Sequence, residues 1–253
     1  MNSTWFRRFT KTVGDGPRLV CFPHAGGAAT AYAQLARTLP ADLDVVAVQY
    51  PGRQDRYREE PFTALAPLVE AVAGELARGV AAEPDRPYAL FGHSMGALVA
   101  FETARLLARD GVPAPGRLFL SGRGAPETRP SPFTGTFDDA DVLAEVRRLN
   151  GTAPSMLDNP EVLEMVLPAL RADYRALSAY AWEGGEPLSV PVTALIGDGD
   201  PMVSVADAEA WRAHTTGAFD LKVFTGGHFY LNDHVAGVAG AVAGGLPALT
   251  GRA

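Results

Sequence analysis

The chain of 253 residues carries a formal net charge of −7 at pH 7, and 47% of its residues are hydrophobic. This length predicts a single α/β domain over residues 1–253, which buries enough surface to fold without a disulfide or a structural metal. The negative charge argues against nucleic acid as a partner. Because Cys21 is the sole cysteine, the sequence excludes an internal disulfide and a cysteine-based zinc site. The apolar neighbours of Cys21 predict an inert core thiol.

The apolar runs also argue against a membrane protein and a secreted protein. No stretch approaches the ~18 consecutive apolar residues of a membrane-spanning helix. Residues 1–9 lack the apolar core of a signal peptide. We therefore expect a cytoplasmic protein.

Short apolar runs alternate with helical patterns along most of the chain. Strands are predicted at Trp5–Phe9, Arg18–Phe22, Asp44–Val48, Tyr88–Phe91, Arg117–Ser121, Val192–Ile196 and Phe219–Phe224. Helices are predicted at Ala28–Leu39, Ala64–Val80 with a kink at Pro67, Ala97–Arg109 and Val205–His214, and a small-residue helix closes the chain. Strands that alternate with helices imply a mostly parallel, doubly wound sheet.

The alternation breaks over residues 127–187, where no strand pattern occurs. This segment carries three helical patterns, at Asp138–Leu149, Pro160–Leu170 and Arg171–Tyr180. An all-helical insertion that follows a strand of an α/β sheet predicts a lid.

The segment from Tyr88 to Phe101 carries the most specific functional motif. A buried strand is followed at once by Gly92-His93-Ser94-Met95-Gly96 and then by a helix. This G-x-S-x-G motif between a strand and a helix predicts Ser94 as a nucleophile on a sharp, strained turn. The two glycines let the strand and the helix pass close to that turn without a Cβ clash. The alternative is a glycine-rich turn with an ordinary capping serine.

A serine nucleophile needs a base, and the base needs an acid that orients it. His228 lies in the loop after the last predicted strand, where two preceding glycines let the loop bring the imidazole over Ser94. We therefore predict His228 as the base, with a structural histidine as the alternative. The histidines that fit the role less well are His24, His93, His214 and His234.

Two aspartates follow the predicted strand Val192–Ile196. Asp200 precedes Pro201, which favours an extended backbone at the end of a loop and suits a side chain that reaches a histidine. We therefore prefer Asp200 as the acid that holds the His228 tautomer. Asp198 is the alternative, and it would otherwise brace the turn.

An oxyanion that forms on a substrate carbonyl needs two backbone N–H donors. Met95, which directly follows Ser94 at the start of a helix, is expected to supply one of them. The second is expected from the loop of residues 24–27, with Ala25 preferred and Gly26 as the alternative. This chemistry requires no metal and no cofactor.

Five motifs that occur in order along the chain together resemble a known family. They are Phe22-Pro23-His24-Ala25-Gly26-Gly27, Pro51-Gly52-Arg53, Phe91-Gly92-His93-Ser94-Met95-Gly96-Ala97, Ser121-Gly122 with Ala125-Pro126, and Gly226-Gly227-His228-Phe229. From about Leu19 to Leu231 the chain resembles a type II thioesterase, the discrete editing thioesterase associated with polyketide and nonribosomal peptide synthetases. The resemblance implies the α/β-hydrolase fold, with a helical lid between the family's sixth and seventh strands. It also implies a triad of Ser94, Asp200 and His228.

The resemblance implies hydrolysis of aberrant or stalled short acyl groups from the phosphopantetheine arm of acyl or peptidyl carrier proteins. A chain-releasing thioesterase is a close alternative, although such enzymes are commonly fused to a synthetase and this chain reads as a free-standing domain. A general small-molecule ester hydrolase is a second alternative. A catalytically silent binding module is disfavoured, because every position of the triad is filled.

Carrier proteins are usually acidic, so local basic clusters would be needed to attract them to this acidic chain. The candidates for such clusters are Arg53, Arg56 and Arg58, and also Arg147 and Arg148. Ordinary solvated arginines are an equally good interpretation. The aromatic residues Tyr174, Tyr180 and Trp182 either line an acyl or pantetheine channel or belong to the core. We expect a monomer.

Overall fold

Seven strands form one sheet in the computed structural model, which describes residues 3–12, 15–128, 138–149 and 159–246. The strands are β1 (Phe6–Arg8), β2 (Arg18–Phe22), β3 (Asp44–Val48), β4 (Tyr88–His93), β5 (Leu118–Ser121), β6 (Val192–Gly197) and β7 (Phe219–Phe224). Their spatial order is β1-β3-β2-β4-β5-β6-β7, with β1 antiparallel to β3 and all other neighbours parallel. This order confirms the predicted mostly parallel sheet.

Helices cover both faces of the sheet. In the described part of the chain they are α1 (Ala33–Thr38), α2 (Leu65–Ala82), α3 (Met95–Arg109), α4 (Asp139–Leu149), α5 (Pro160–Ser178), α6 (Val205–Glu209), α7 (Tyr230–Asp233) and α8 (Val235–Gly245), with 3₁₀ turns at Ala29–Tyr32, Gln54–Arg56 and Ala210–His214. The α2 and α3 helices pack in one hydrophobic core, and α1 and α8 pack in another. The sheet is therefore doubly wound, as predicted. None of the helices described here has the length and the apolar character needed to cross a membrane.

Successive residues of the central strands alternate between these two cores. In β2, Val20 and Phe22 face the core shared with α2 and α3, whereas Leu19 and Cys21 face the core shared with α1 and α8. All four are fully buried, because a parallel strand covered by helices on both sides has no solvated face. Cys21 is a free thiol, and burial raises its pKa, in agreement with the predicted inert role.

Several predicted helices differ in detail from the structure, among them those that correspond to α2 and α5. Helix α2 is continuous through Pro67, because this proline is the third residue of the helix, where the missing N–H has no intrahelical acceptor. The patterns at Pro160–Leu170 and Arg171–Tyr180 form one continuous helix, α5. The buried side chains that keep helical spacing across the predicted boundary are Leu170, Tyr174 and Leu177.

The helical insertion of residues 127–187 lies between β5 and β6, the fifth and sixth of the described strands. The lid was expected between the sixth and seventh strands in the family's numbering, so the insertion comes one strand earlier in the count of described strands. Residues 129–137 and 150–158 lie outside the described part of the chain, and the described residues of the insertion contain helix but no strand. Its helices α4 and α5 pack through a small apolar cluster, and Arg171 of α5 pairs with Asp139 of α4.

A group of ion pairs lies at the N-terminal end of β3, far from the carboxyl ends of the parallel strands. The buried Asp44 carboxylate accepts hydrogen bonds from Arg8 at 2.8 Å and Arg18 at 2.7 Å. Burial alone would raise the pKa of Asp44, but these hydrogen bonds hold it well below its usual value. Burial likewise opposes the ionisation of Glu83, but hydrogen bonds from Arg18 and Arg86 lower its pKa to about 2. The folded state therefore favours both carboxylates in their charged form.

We expect the free energy of unfolding to fall as the pH is lowered from about 5 towards 2, because the unfolded chain binds protons at Asp44 and Glu83 before the folded chain does. In Asp44→Asn this loss should be smaller, since that side chain no longer titrates. Stability near pH 7 should fall by about 3 kcal/mol, because the buried Arg18 loses one of its two carboxylate partners. Urea titrations near pH 7, 5 and 3 measure both effects. The same pH dependence in the variant and the wild type would contradict this assignment.

Candidate active site

Ser94 lies in the turn that joins the end of β4 to α3. Its φ of 55° and ψ of −117° fall in a region that residues other than glycine rarely adopt, at a cost of about 1–3 kcal/mol. From Tyr88 to Phe101, Ser94 is the one residue that is not buried. The turn therefore keeps a single residue accessible within an otherwise buried segment.

Two glycines allow this turn, as the motif predicts. A Cβ atom on Gly92 would lie 2.1 Å from the Gly96 carbonyl oxygen, and one on Gly96 would lie 1.9 Å from the Phe22 carbonyl oxygen. No other residue tolerates such close backbone approaches. The Ser94 N–H donates to the Ser121 carbonyl oxygen at 2.8 Å, which ties the turn to β5.

The structure brings two of the predicted site residues into direct contact. His228 Nδ1 lies 2.7 Å from Asp200 Oδ2, and the two side chains are 1% and 0% exposed. The other Asp200 oxygen accepts the Met202 N–H at 2.8 Å. Because the carboxylate holds Nδ1, the Nε2 atom is left to exchange a proton. A base oriented by an acid has this geometry.

Asp198, the alternative acid, has a different partner. Its Oδ1 atom accepts the Gly226 N–H at 2.9 Å, and the Gly199 N–H donates to the Gly226 carbonyl oxygen at 2.9 Å. These bonds join the loop after β6 to the loop after β7, which carries His228. Asp198 thus braces the neighbouring loop and does not contact the imidazole.

Ser94 and His228 lie on neighbouring loops without a hydrogen bond between them. The His228 ring centroid is 5.0 Å from that of His93, the residue before Ser94. His228 Nε2 is buried and has no hydrogen-bond partner among the described residues. Catalytic hydrogen bonds are often long in unliganded structures and shorten when substrate binds. The Nε2 atom is therefore the candidate acceptor for the Ser94 proton.

Two further histidines lie beside this pair. The His24 ring is 6.1 Å from the His93 ring and 4.9 Å from Phe229. Burial, with a smaller contribution from His228, lowers the pKa of His24 to about 4 and the pKa of His93 well below its usual value. Both imidazoles are therefore neutral at neutral pH and add no positive charge next to His228.

His93 also connects the nucleophile turn to two other elements. Its Nδ1 atom lies 2.9 Å from Ser121 Oγ, which in turn lies 2.7 Å from the Tyr230 hydroxyl oxygen. This chain of hydrogen bonds links β4, β5 and α7 directly beneath the site. Sequence reasoning missed it, because Ser121 and Tyr230 lie far apart in the chain and no local pattern marks them as partners.

Ala25 and Met95 are the two predicted oxyanion donors, and their N–H groups donate to no described residue. Met95 is the first residue of α3, so its N–H has no intrahelical acceptor. The alternative donor Gly26 is occupied, since its N–H donates to Asp173 Oδ2 at 2.7 Å. Ala25 is therefore the candidate donor from this loop.

The insertion contacts the site from two sides, and neither contact was predicted. On α5, Asp173 bonds the loop of residues 24–27 and pairs with Arg53. On α4, Arg148 donates to the sulfur of Met202 at 3.0 Å, next to the Asp200 loop. An amphipathic helix pattern does not indicate which distant loop a given side chain will meet.

The predicted docking cluster of Arg53, Arg56 and Arg58 is wrong for its first two members. Arg53 is buried and paired with Asp173. Arg56 is also buried, and its Nε donates to Glu59 at 2.9 Å. Of the three arginines only Arg58 is exposed. Carboxylates and carbonyl oxygens of the same chain hold the other two side chains.

The aromatic residues near the end of the insertion make the contacts of core residues. Tyr174 is buried in the apolar cluster between α4 and α5. The Trp182 ring lies 5.9 Å from the Phe101 ring of α3. The Tyr180 hydroxyl donates to Glu102 of the same helix at 2.7 Å. These contacts favour the core interpretation over a channel lining.

We expect Asp200→Asn to lower kcat for the hydrolysis of p-nitrophenyl acetate by about 10⁴-fold, because an amide in place of the carboxylate favours the wrong tautomer of His228. Asp198→Asn is the matched control. It keeps an oxygen acceptor for the Gly226 N–H and does not touch the imidazole, so it should retain most of the activity. Equal losses in the two variants would contradict the assignment of Asp200.

Known proteins share this arrangement of strands and loops. A family model described as Thioesterase domain matches residues 17–244. The chain is 44% identical over 242 residues to a probable cadicidin biosynthesis thioesterase from Streptomyces griseus. The aligned region covers 96% of this chain and 66% of that protein. The chain is also 44% identical over 232 residues to thioesterase PikA5 from Streptomyces venezuelae. That alignment covers 90% of this chain and 80% of the relative.

A solved structure extends the likeness to three dimensions. The chain matches the type II thioesterase BorB from the borrelidin biosynthetic cluster with a TM-score of 0.84 and 42% identity, over 97% of this chain and 99% of that chain. The match confirms the expected α/β-hydrolase fold. The family model also spans the turn of Ser94 and the loops of Asp200 and His228. The chain therefore belongs to the thioesterase family and is a hydrolase that acts on thioesters.

Proposed function

We propose that the protein is a type II thioesterase that removes aberrant or stalled short acyl groups from the phosphopantetheine arm of carrier proteins in polyketide or nonribosomal peptide biosynthesis. The observation that carries the chemistry is the buried 2.7 Å hydrogen bond between His228 and Asp200, beside the strained turn of Ser94. The editing role is supported by the similarity to BorB, a type II thioesterase matched along nearly its whole length.

In the proposed first half-reaction, Ser94 Oγ attacks the thioester carbonyl carbon while His228 Nε2 takes the hydroxyl proton. Asp200 stabilises the resulting imidazolium through Nδ1. The N–H groups of Ala25 and Met95 stabilise the oxyanion. The C–S bond then breaks, and the pantetheine sulfur leaves as a thiol with the proton from His228. The acyl group is now an ester of Ser94.

In the second half-reaction, water attacks the acyl ester and His228 takes a proton from it. The bond to Ser94 Oγ breaks, the serine regains its proton from His228, and the free acid leaves. The imidazolium forms twice in this cycle. Neutral His24 and His93 support it, because a charged neighbour would repel the positive charge on His228.

An acyl or peptidyl carrier protein is the proposed partner, with residues 127–187 as a lid beside the acyl group. Two exposed features offer contacts to an acidic carrier. Arg58 lies over the ring of Tyr57 at 5.2 Å, and Tyr57 is 54% exposed. Arg147 and Arg148 are exposed at the C-terminal end of α4, where Arg148 also pairs with Glu145. Both features face solvent, as a docking contact requires.

Ser94→Ala is expected to lower the hydrolysis of propionyl-pantetheine by about 10⁴ to 10⁶-fold, because the variant has no nucleophile. Circular dichroism and thermal unfolding check that the fold is intact. Ser189→Ala, at an exposed serine outside the site, is the control and should keep wild-type rates. Unchanged turnover in Ser94→Ala would rule out the mechanism.

We expect faster hydrolysis of an acetyl or propionyl group on a purified holo carrier protein than of the same group on a free pantetheine analogue. The reason is that contacts with the carrier protein add binding energy that the free arm lacks. The values of kcat/KM for the two substrates provide the measurement. Equal values would contradict the carrier partnership and favour a general small-molecule ester hydrolase. A strong preference for long, completed acyl chains would instead favour a chain-releasing thioesterase.

A further inference from the structure

Asp173 is a buried carboxylate that the proposed reaction does not use. It lies on α5 of the insertion, and its side chain is 3% exposed. One of its oxygens accepts the Gly26 N–H at 2.7 Å and also pairs with the Arg53 guanidinium. Arg53 donates in turn to the Pro51 carbonyl oxygen at 2.7 Å. Asp173 therefore joins the insertion to two loops at the edge of the sheet.

The loop that Asp173 meets carries the candidate oxyanion donor Ala25. The Gly27 N–H donates to the His24 carbonyl oxygen at 2.9 Å, and this oxygen belongs to the same peptide group as the Ala25 N–H. In a trans peptide the C=O and N–H point in opposite directions. The bond inside the loop thus directs the Ala25 N–H outwards.

The next peptide group, between Ala25 and Gly26, is held by Asp173. Gly26 has a φ of +71°, and a Cβ atom there would lie 2.5 Å from the Leu170 side chain of α5. A residue with a side chain would be strained at this φ and would displace Leu170. The peptide groups on both sides of Ala25 are therefore fixed, one within the loop and one by α5.

The charge of Asp173 also requires a partner. A bare carboxylate next to an oxyanion hole would repel the negative charge that forms during the reaction. Arg53, which is 5% exposed, supplies the opposite charge, and its guanidinium lies 5.1 Å from the centroid of the Tyr50 ring. With this pairing, Asp173 can hold the Gly26 N–H without opposing the oxyanion.

We propose that Asp173 is a positioning residue of the oxyanion hole. Its bond to the Gly26 N–H holds the Ala25 N–H towards the substrate carbonyl, and its place on α5 makes the oxyanion hole depend on the docking of the insertion. This inference rests on the proposed function, because it concerns the same oxyanion hole.

The test compares variants in the hydrolysis of p-nitrophenyl butyrate, a substrate that needs no carrier protein. Asp173→Ala should lower kcat by about 10²-fold, the order of effect seen when an oxyanion donor is lost. Its KM should change little, because the bond acts on the transition state more than on the bound ester. A fluorophosphonate that labels Ser94 counts active sites, so that kcat is expressed per competent enzyme.

Asp139→Ala is the matched control, since it removes the ion pair between α4 and Arg171 but not the bond to the loop. It should keep kcat close to the wild type. The double variant Arg53→Gln with Asp173→Asn removes both buried charges and keeps an oxygen acceptor for the Gly26 N–H. It should recover most of the kcat that Asp173→Ala loses, and it replaces that variant as the test if Asp173→Ala does not fold.

Two results would overturn the proposal. One is a kcat for Asp173→Ala equal to that of Asp139→Ala. The other is a kcat in the double variant reduced about 10²-fold, because the acceptor oxygen would then contribute nothing. A wild-type enzyme that hydrolyses neither this ester nor propionyl-pantetheine would instead refute the proposed function, so the two failures are distinguishable.

Discussion

The turn at Ser94 is the constraint on which the rest of the structure depends. A residue other than glycine keeps a φ of 55° only where the surrounding structure holds it there. The sheet and α3 keep Ser94 in this conformation. They can pack this closely because Gly92 and Gly96 allow backbone approaches that any Cβ would prevent. Directly after the turn, Met95 is fully buried in the core. Packing of the whole strand and helix thus stabilises a conformation that the turn would not keep alone.

Parallel strand pairing then places the remaining groups at the same edge. Adjacent strands β6 and β7 end side by side, so the loops that carry Asp200 and His228 meet there. Backbone and side-chain bonds at Gly226 join these two loops. The acid and the base are therefore positioned by sheet geometry, and the Asp198 brace keeps one loop in register with the other.

Charge inside the site is confined to pairs. His24 and His93 are neutral because burial lowers their pKa, and Asp200 holds Nδ1 of His228 by a hydrogen bond. A second buried carboxylate near the site, Asp173, is paired with Arg53. Since an unpaired buried charge is strongly unfavourable, this pairing lets the insertion reach the loop of residues 24–27 without disturbing the charges of the reaction.

The sequence by itself determined the features that depend on local pattern. The limits of β2, β3 and β7 were predicted to the residue, because short runs of strand-forming residues between turn residues are local signals. The G-x-S-x-G turn was predicted for the same reason, and Pro201 correctly favoured Asp200 as the partner of the imidazole. Only the tertiary structure decided that Asp173 occupies the Gly26 N–H and that Arg53 and Arg56 are buried. Partners distant in the chain leave no periodic trace, so only folding decides which side chains meet.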